Sequence, residues 1–199
     1  MIVILIFLFF CAYFVGGIPS GYWFAKYFFG VDITKKGSKN IGATNVARVL
    51  GSKRYFFLIF FLDFFKAYLT LLFSRYFLSA YSVQIAQTFL LVIAVFLLIG
   101  NAFSPFLKFR GGKGIATIFG ILLVLAPWQI LVCFILAWMA VLFLAKRVDV
   151  ASVLAIFTIT ICDLFFYGFS SFLLFLIFLN VWVLWRHQEN IKNFLGNKL

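Results

Sequence analysis

The sequence predicts an all-α integral membrane protein, a bundle of about seven transmembrane helices with short interfacial loops and helices on the cytoplasmic side. Its 199 residues are 66% hydrophobic and 22% aromatic, and the mean hydropathy is +1.16. A soluble domain of this length could not bury so much apolar surface in one core. The apolar runs have the length of helices and lack the alternating pattern of barrel strands. We therefore expect one membrane-embedded domain over residues 1–199.

The apolar segments follow one another with short polar connections. A continuous helix over residues 115–145 would reach about 46 Å, well beyond a hydrocarbon core of ~30 Å, so we divide this stretch at Pro127. The resulting short pair returns Lys146 and Arg147 to the side of Lys113, as the preference of basic residues for the cytoplasm requires. The predicted spans are residues 1–24, 55–78, 82–99, 115–126, 128–145, 150–167 and 170–185.

The charge is strongly asymmetric. There are 17 Lys and Arg against five acids, for a formal net charge of +12. In a soluble protein this balance would indicate nucleic acid, but in a membrane protein it indicates topology. On the predicted topology every Lys and Arg except Lys66 and Arg75 lies on one side, including Lys192 and Lys198 at the end of the chain. We therefore predict that the N-terminus is outside and the C-terminus cytoplasmic.

The first apolar stretch and the cysteines indicate no processing and no metal chemistry. The first stretch has neither a basic region before it nor a small-residue cleavage pattern after it, so we expect a retained span. Cys11, Cys133 and Cys162 each stand alone in an apolar run. Their spacing suggests neither a disulfide nor a metal site, and we predict packing roles for them and no metal or cofactor.

The most polar stretch of this apolar chain is residues 37–51. It holds three glycines, two asparagines, a serine, a threonine and two cations. Asn40, Thr44, Asn45 and Arg48 offer hydrogen-bond donors that a merely solvated loop does not require. Cations such as Lys35 and Lys36 are explained by anchoring to anionic headgroups, whereas for Arg48, placed among glycines and amides, we favour contact with a ligand.

A second polar segment, Gly111-Gly112-Lys113-Gly114, is named here the glycine loop. Glycines allow successive N–H groups to point at an anion, Lys113 adds charge, and the helix predicted from Ile115 presents its positive end. The spacing of a Walker A motif is absent, and a flexible surface turn can have the same sequence. Because another cationic, glycine-rich segment lies on the same side, we favour a phosphate site that includes Lys113.

A third cationic segment, residues 186–190, is predicted to be a loop and holds the single histidine, His187. Its imidazole is either an interfacial residue favoured by the end of a helix, or a phosphate contact or proton acceptor. Asp32, Asp149 and Glu189 are scattered, and no Ser-His-acid set is evident. Direct transfer between two phosphorylated or activated substrates therefore fits better than a covalent nucleophile.

Asp63 and Lys66 are charges within a predicted span. They lie three residues apart on one helical face and can pair. Because a charge in hydrocarbon costs at least ~2.5 kcal/mol, such residues usually face the interior of the bundle. The pair either satisfies itself and positions its helix, or supports the polar segment beside it.

These motifs resemble those of the bacterial acyl-phosphate:glycerol-3-phosphate acyltransferases, the PlsY family. The similarity covers residues 18–22, 37–51, 103–117 and 186–191 and the pair Asp63-x-x-Lys66, in order over nearly the whole chain. The resemblance implies a seven-helix enzyme of the bacterial inner membrane that needs no metal. Its reaction would move an acyl group from acyl phosphate to the 1-hydroxyl of glycerol 3-phosphate, giving lysophosphatidic acid and inorganic phosphate in the first acylation of phospholipid biosynthesis.

The resemblance also implies roles for particular residues. The first two polar segments would hold the headgroup of acyl phosphate, and the catalytic residues would be Arg48, Lys113 and His187. Glycerol 3-phosphate would be held by Arg48, Lys113, Ser152, His187 and Asn190. We count as substrate-binding Ser38, Asn40, Gly42, Thr44, Asn45, Gly111, Gly112, Gly114, Ser152 and Asn190.

The chain departs from the usual family pattern at several positions. Asn101 follows Gly100 where the family usually has histidine, Lys39 replaces a usual glycine, and Asp149 stands where serine is common. We interpret these changes as those of a divergent but active member.

A second class of function uses the same segments. A membrane transporter, or a protein that only binds lipids or anions, would hold phosphate at the cytosolic face without forming a bond. Transporters usually place polar residues at the middle of the membrane in broken helices, whereas here most lie at one face. We predict that the partners are the two substrates, acyl phosphate and glycerol 3-phosphate, and membrane lipid, and that nucleic acid is not a partner. The sequence leaves the oligomeric state open, with a monomer as one option.

Overall fold

The computed structural model describes residues 2–196. Met1, where the first predicted span begins, and Lys198, one of the predicted cytoplasmic cations, lie outside the described residues. Contacts divide the chain into two compact units, the first ending at Leu125 and the second beginning at Ala126. That residues 1–199 act as one domain stays a prediction.

The first unit holds six α-helices and two short 3-10 turns. The helices are α1 (Ile2–Gly17), α2 (Ser20–Phe29), α3 (Ala43–Leu50), α4 (Lys53–Leu78), α5 (Val83–Ala102) and α6 (Ile115–Leu125), and the turns are Ile33–Lys35 and Pro105–Leu107. The second unit holds α7 (Trp128–Ala145), α8 (Val148–Tyr167) and α9 (Ser171–Gly196). The predicted all-helical membrane class is confirmed by this architecture.

All seven predicted apolar segments are helical, but they do not all have the length of a span. In the part of the chain that the structure describes, five helices are long and apolar enough to cross a membrane, or six if α1 and α2 form one bent span. The remaining predicted span, residues 115–126, corresponds to α6. This helix has 11 residues and therefore extends only about 16 Å, roughly half the thickness of a hydrocarbon core. α6 ends at Leu125, and Pro127 is the N-cap residue of α7, so the break lies where the sequence predicts it.

The first predicted span is broken rather than straight. α1 ends at Gly17, α2 begins at Ser20, and the two helices are bent by 43°. The cause is Pro19, which has no N–H to donate and disfavours helical backbone at Ile18.

The charges of α4 hold this break. Lys66 Nζ donates to the carbonyl of Ile18 at 2.9 Å and lies 2.7 Å from Asp63 Oδ1. Ser20 Oγ donates to the same carboxylate at 3.0 Å. The pair is therefore self-satisfying, as the first interpretation predicts, and it also fixes the junction of α1 and α2. That it supports the polar segment beside it stays a prediction.

Gly17 and Gly21 allow close approach of neighbouring segments to the first span. A Cβ at Gly17 would lie 3.5 Å from the carbonyl oxygen of Gly100 in helix α5. A Cβ at Gly21 would collide with the carbonyl of Ile41, and one at Gly17 would lie 2.7 Å from Pro105 Cδ. A side chain at Gly21 would therefore push away the polar stretch of residues 37–51, and one at Gly17 would push away the turn Pro105–Leu107. The small residues of the first span thus position the loops.

The second unit packs α8 against both α7 and α9. Lys146 and Arg147 connect α7 to α8, and Gly168 ends α8. Asn180 of α9 donates to Thr160 Oγ1 of α8 at 2.7 Å. α9 extends well beyond the predicted end of its span, so the prediction of a loop at residues 186–190 is wrong: these residues continue the helix, because they contain neither glycine nor proline to end it.

Candidate active site

The segment of residues 36–45, named here the amide loop, is organised around the side chain of Asn45. Asn45 is 1% exposed. Its Oδ1 accepts from the N–H of Ser38 at 2.8 Å, and its Nδ2 lies 2.8 Å from the carbonyl of Asn40 and 3.1 Å from that of Lys36. Nδ2 also lies 3.2 Å from the carbonyl of Ile33, so one carboxamide contacts four backbone groups.

Two further features shape this loop. Asn40 Oδ1 accepts from the N–H of Gly42 at 2.9 Å, which turns the chain into α3. Lys39 has a φ of 58°, in the left-handed region that favours glycine. This backbone angle accounts for the glycine that the family usually has there.

The helix α3 separates the structural residues of the loop from the accessible ones. Gly42 caps its beginning, and Gly51 ends it with a φ of 72°. Asn45 and Val46 are buried, while Thr44 and Arg48, one turn apart, are exposed, as is Ser38 in the loop before them. The groups available to a ligand on this face are therefore a hydroxyl and a guanidinium.

The glycine loop is attached to the end of α5. The N–H of Gly112 donates to the carbonyl of Asn101 at 2.9 Å, and a Cβ at Gly111 would collide with that same carbonyl. Gly114 has a φ of 82° and is followed at once by α6, whose N-terminus lies where the sequence predicts it. Because the Gly112 N–H is already engaged, an anion here would rely on the positive end of α6 and on the charge of Lys113.

The first unit brings the amide loop and the glycine loop together. A Cβ at Gly112 would lie 3.6 Å from Ile41 Cγ1, so the side chain of Ile41 lies against the glycine loop. Beneath them Ile41 and Val46 share an apolar cluster with Leu107, which precedes the glycine loop. This packing fixes one cationic segment against the other.

The remaining predicted site residues, Ser152, His187 and Asn190, belong to the second unit. The Ser152 hydroxyl donates to the carbonyl of Val148 at 2.7 Å and accepts from Trp138 Nε1 at 3.3 Å. His187 is 2% exposed, and its Nδ1 lies 2.9 Å from the carbonyl of Val183. A carbonyl has no proton to give, so Nδ1 carries a proton in this contact.

Asn190 is held by an acid that sequence reasoning did not connect to the site. Asn190 Nδ2 donates to Asp149 Oδ2 at 2.8 Å, and Arg147 donates to both oxygens of that carboxylate, at 3.1 and 2.7 Å. The hydrogen bond from Arg147 to Asp149 raises the pKa of the guanidinium. The short Arg147-x-Asp149 spacing was the only sign in the sequence that Asp149 is paired. That spacing does not indicate the hydrogen bond with Asn190, which lies 41 residues further along the chain.

The described residues contain no group of three or more His, Cys, Asp or Glu that could hold a metal ion. Together, the apolar helices and the two adjoining segments define an integral membrane protein whose first unit carries two cationic, glycine-containing segments side by side.

The particular family follows from comparison with known proteins. The model of the family described as glycerol-3-phosphate acyltransferase matches residues 6–197, and the chain belongs to this family. A glycerol-3-phosphate acyltransferase of Thermosipho melanesiensis is 36% identical over 95% of this chain and 88% of its own length. One of Fusobacterium nucleatum is 35% identical over 94% of this chain and 95% of its own length.

Solved structures agree. The chain is similar to the crystal structure of PlsY (YgiH), an integral membrane glycerol 3-phosphate acyltransferase, in its glycerol 3-phosphate form. The TM-score is 0.86 at 30% identity, over 97% of this chain and 92% of that one. The lysophosphatidic acid form of the same protein gives a TM-score of 0.83 over the same shares. The resemblance to the PlsY family inferred from the sequence is confirmed.

Proposed function

We propose that this chain transfers a fatty acyl group from acyl phosphate to the 1-hydroxyl of glycerol 3-phosphate, releasing lysophosphatidic acid and inorganic phosphate. Membership of the glycerol-3-phosphate acyltransferase family supports the acceptor and the reaction class. The observation that carries the choice of donor is the packing of the amide loop against the glycine loop in the first unit. Two cationic, glycine-rich segments side by side suit a donor whose leaving group is itself a phosphate.

Acyl phosphate is already activated, so the protein has mainly to align the two substrates and neutralise charge. The hydroxyl oxygen of glycerol 3-phosphate attacks the acyl carbon, and the bond from that carbon to the phosphate oxygen breaks. Lys113 stabilises the phosphate that leaves, and Arg48 binds a phosphate group at the exposed face of α3. Ser152, His187 and Asn190 hold glycerol 3-phosphate, and Asp149 positions Asn190 through their hydrogen bond. The apolar helices accept the acyl chain.

The other site residues divide between contact and support. Ser38 and Thr44 are exposed and contact the donor headgroup. Asn40, Gly42 and Asn45 shape the amide loop, and Gly111, Gly112 and Gly114 let backbone approach the phosphate. We assign Asn45 mainly a positioning role, because its oxygen and nitrogen already bind loop backbone.

We propose that the hydroxyl proton goes to the departing phosphate. No carboxylate stands out as a base, since Asp149 already binds Arg147 and Asn190. The rival acceptor is His187 Nε2. His187→Asn tests this, because an asparagine amide can replace the Nδ1–H donor toward Val183 but cannot take a proton near neutral pH.

If the phosphate is the acceptor, we expect the pH profiles of kcat/KM for wild type and His187→Asn to have the same shape. An ionisation near ~6.5 that is present in wild type and lost in the variant, with the KM of glycerol 3-phosphate unchanged, would instead make His187 the base.

We also propose the placement of the enzyme. It lies in the bacterial inner membrane with its N-terminus outside and its active site at the cytoplasmic face, because nearly all cations of the predicted topology collect on one side. Residues 1–199 act as one domain without a cofactor.

The direct test uses purified protein in lipid with acyl phosphate and glycerol 3-phosphate. Release of inorganic phosphate and formation of lysophosphatidic acid are followed together, with acyl-CoA as the alternative donor. We expect equal amounts of both products, dependent on glycerol 3-phosphate, from acyl phosphate alone. Activity with acyl-CoA only would reject the donor, and absence of product with either donor from folded protein would favour a binding or transport role.

A further inference from the structure

The side chain of Asn101 is a buried polar group for which the mechanism above has no use. Asn101 lies in the last turn of α5 and is 6% exposed. In the part of the chain that the structure describes, its buried Oδ1 has no hydrogen-bond partner. Its backbone carbonyl accepts from the N–H of Gly112 at 2.9 Å. The residue is therefore fixed to the glycine loop by its backbone while its carboxamide remains to be explained.

That carboxamide faces the glycine loop. A Cβ built at Gly112 would lie 3.2 Å from Asn101 Oδ1, and one built at Gly114 would lie 3.4 Å from the same atom. The amide thus lies beside the glycine loop, at a side that glycine leaves uncovered. Gly114, the last residue of this loop, directly precedes the N-terminus of α6. A polar group placed there, next to a helix N-terminus, is suited to an anion held in the loop.

We propose that the Asn101 carboxamide is a ligand of the phosphoryl group that the glycine loop binds, a role that rests on the proposed function of the chain. A buried amide oxygen without a donor is costly, and native proteins rarely leave one. The oxygen and nitrogen of the amide exchange places by a half-turn of the side chain. With a phosphoryl group in the loop, this half-turn directs Nδ2–H at a phosphoryl oxygen.

The proposal separates Asn101 from polar residues that only support the fold. Ser104, in the same connection between α5 and α6, is fully buried, and its hydroxyl donates to the carbonyl of Gly17 at 2.6 Å. Its hydrogen bond is directed into the scaffold and away from any ligand. Ser104→Ala is therefore the matched control, expected to lower the thermal stability and to leave substrate affinities unchanged.

The test compares Asn101→Asp and Asn101→Ala with wild type. Asp has nearly the same shape as Asn but adds a negative charge beside the bound phosphoryl group, which repels it. We expect Asn101→Asp to raise the KM of acyl phosphate and the inhibition constant of inorganic phosphate about tenfold or more, and Asn101→Ala to raise both about three- to fivefold. The KM of glycerol 3-phosphate should stay within about twofold.

A second measurement does not depend on turnover. Inorganic phosphate should raise the melting temperature of the wild-type protein in detergent, and less so that of either variant, because a ligand stabilises the state that binds it. If acyl phosphate were not the donor, the assay would fail for wild type, whereas this comparison would still report on Asn101.

Folded Asn101→Ala protein that keeps wild-type affinity for acyl phosphate and inorganic phosphate would overturn the proposal, whether or not Asn101→Asp folds. Effects on Asn101→Ala that match those of Ser104→Ala, a lower melting temperature with unchanged affinities, would assign the carboxamide to the scaffold alone.

Discussion

Arg48→Ala and Lys113→Ala are each expected to lower kcat/KM about tenfold or more, a loss of about 1.4 kcal/mol of transition-state stabilisation. Each removes a positive charge from a glycine-containing segment that we assign to phosphate binding. Arg48 stands exposed on α3, whose buried face is held by Asn45 and Val46, so its removal should leave the fold intact. Lys113 lies between two glycines at the beginning of α6, where charge on a phosphate is stabilised most effectively.

Lys36→Ala is the matched control for these variants. Lys36 lies in the amide loop, is exposed, and carries the same charge as Lys113, but we assign it to lipid headgroups. Its loss should change kcat/KM by less than about twofold. Purified protein in one lipid, with equal helicity for all three variants, provides the comparison. Full activity of both Arg48→Ala and Lys113→Ala would refute the assignment of the site.

Asn45→Ala should abolish most activity while leaving the membrane helices folded. Its carboxamide binds the backbone of Ser38, Lys36 and Asn40, and a buried backbone group left without a partner costs about 1–3 kcal/mol. These hydrogen bonds tie separate parts of the amide loop together, so we expect the loop to open without them and the loss in kcat/KM to reach about a hundredfold or more. Asn40→Ala, which removes a single acceptor for Gly42, should cost less.

Two measurements distinguish this opening from global unfolding. Circular dichroism should show equal helical content in wild type and Asn45→Ala, and trypsin should cleave the variant faster at Lys35, Lys36 and Lys39, since proteolysis follows local opening. Wild-type rates of both cleavage and catalysis in Asn45→Ala would mean that the loop is held by other contacts.

Much of the fold was accessible from the sequence because apolar length and proline position decide it. All seven apolar segments are helical and the chain breaks at Pro127, since each feature depends on local composition, although the first segment is bent and α6 is shorter than a span. The bend at Pro19 could have been foreseen from the same rule. The extension of α9 through residues 186–190 could not be judged from charge, because cations are compatible with both a loop and the polar end of a helix.

The site was only partly accessible. Glycine and amide composition indicated both polar segments, because phosphate sites need those residue types. Which amides face inward depends on contacts across the loop: Asn45 reads as a ligand in the sequence, yet its oxygen and nitrogen bind backbone. Asp149 and Asn190 are 41 residues apart, and their hydrogen bond depends on the packing of α8 against α9.

The close backbone contacts at Gly21 and Gly111 have a consequence for how this protein tolerates change. At both positions a single methyl group would collide with a carbonyl oxygen, of Ile41 and of Asn101 respectively. Neither glycine brings a side chain to the substrates, but each keeps a polar segment in register. In a saturation library selected for growth, substitutions at Gly21 and Gly111 should therefore be depleted as strongly as substitutions at Arg48. Selection should preserve the absence of a side chain at these two positions as strictly as it preserves the charge of Arg48.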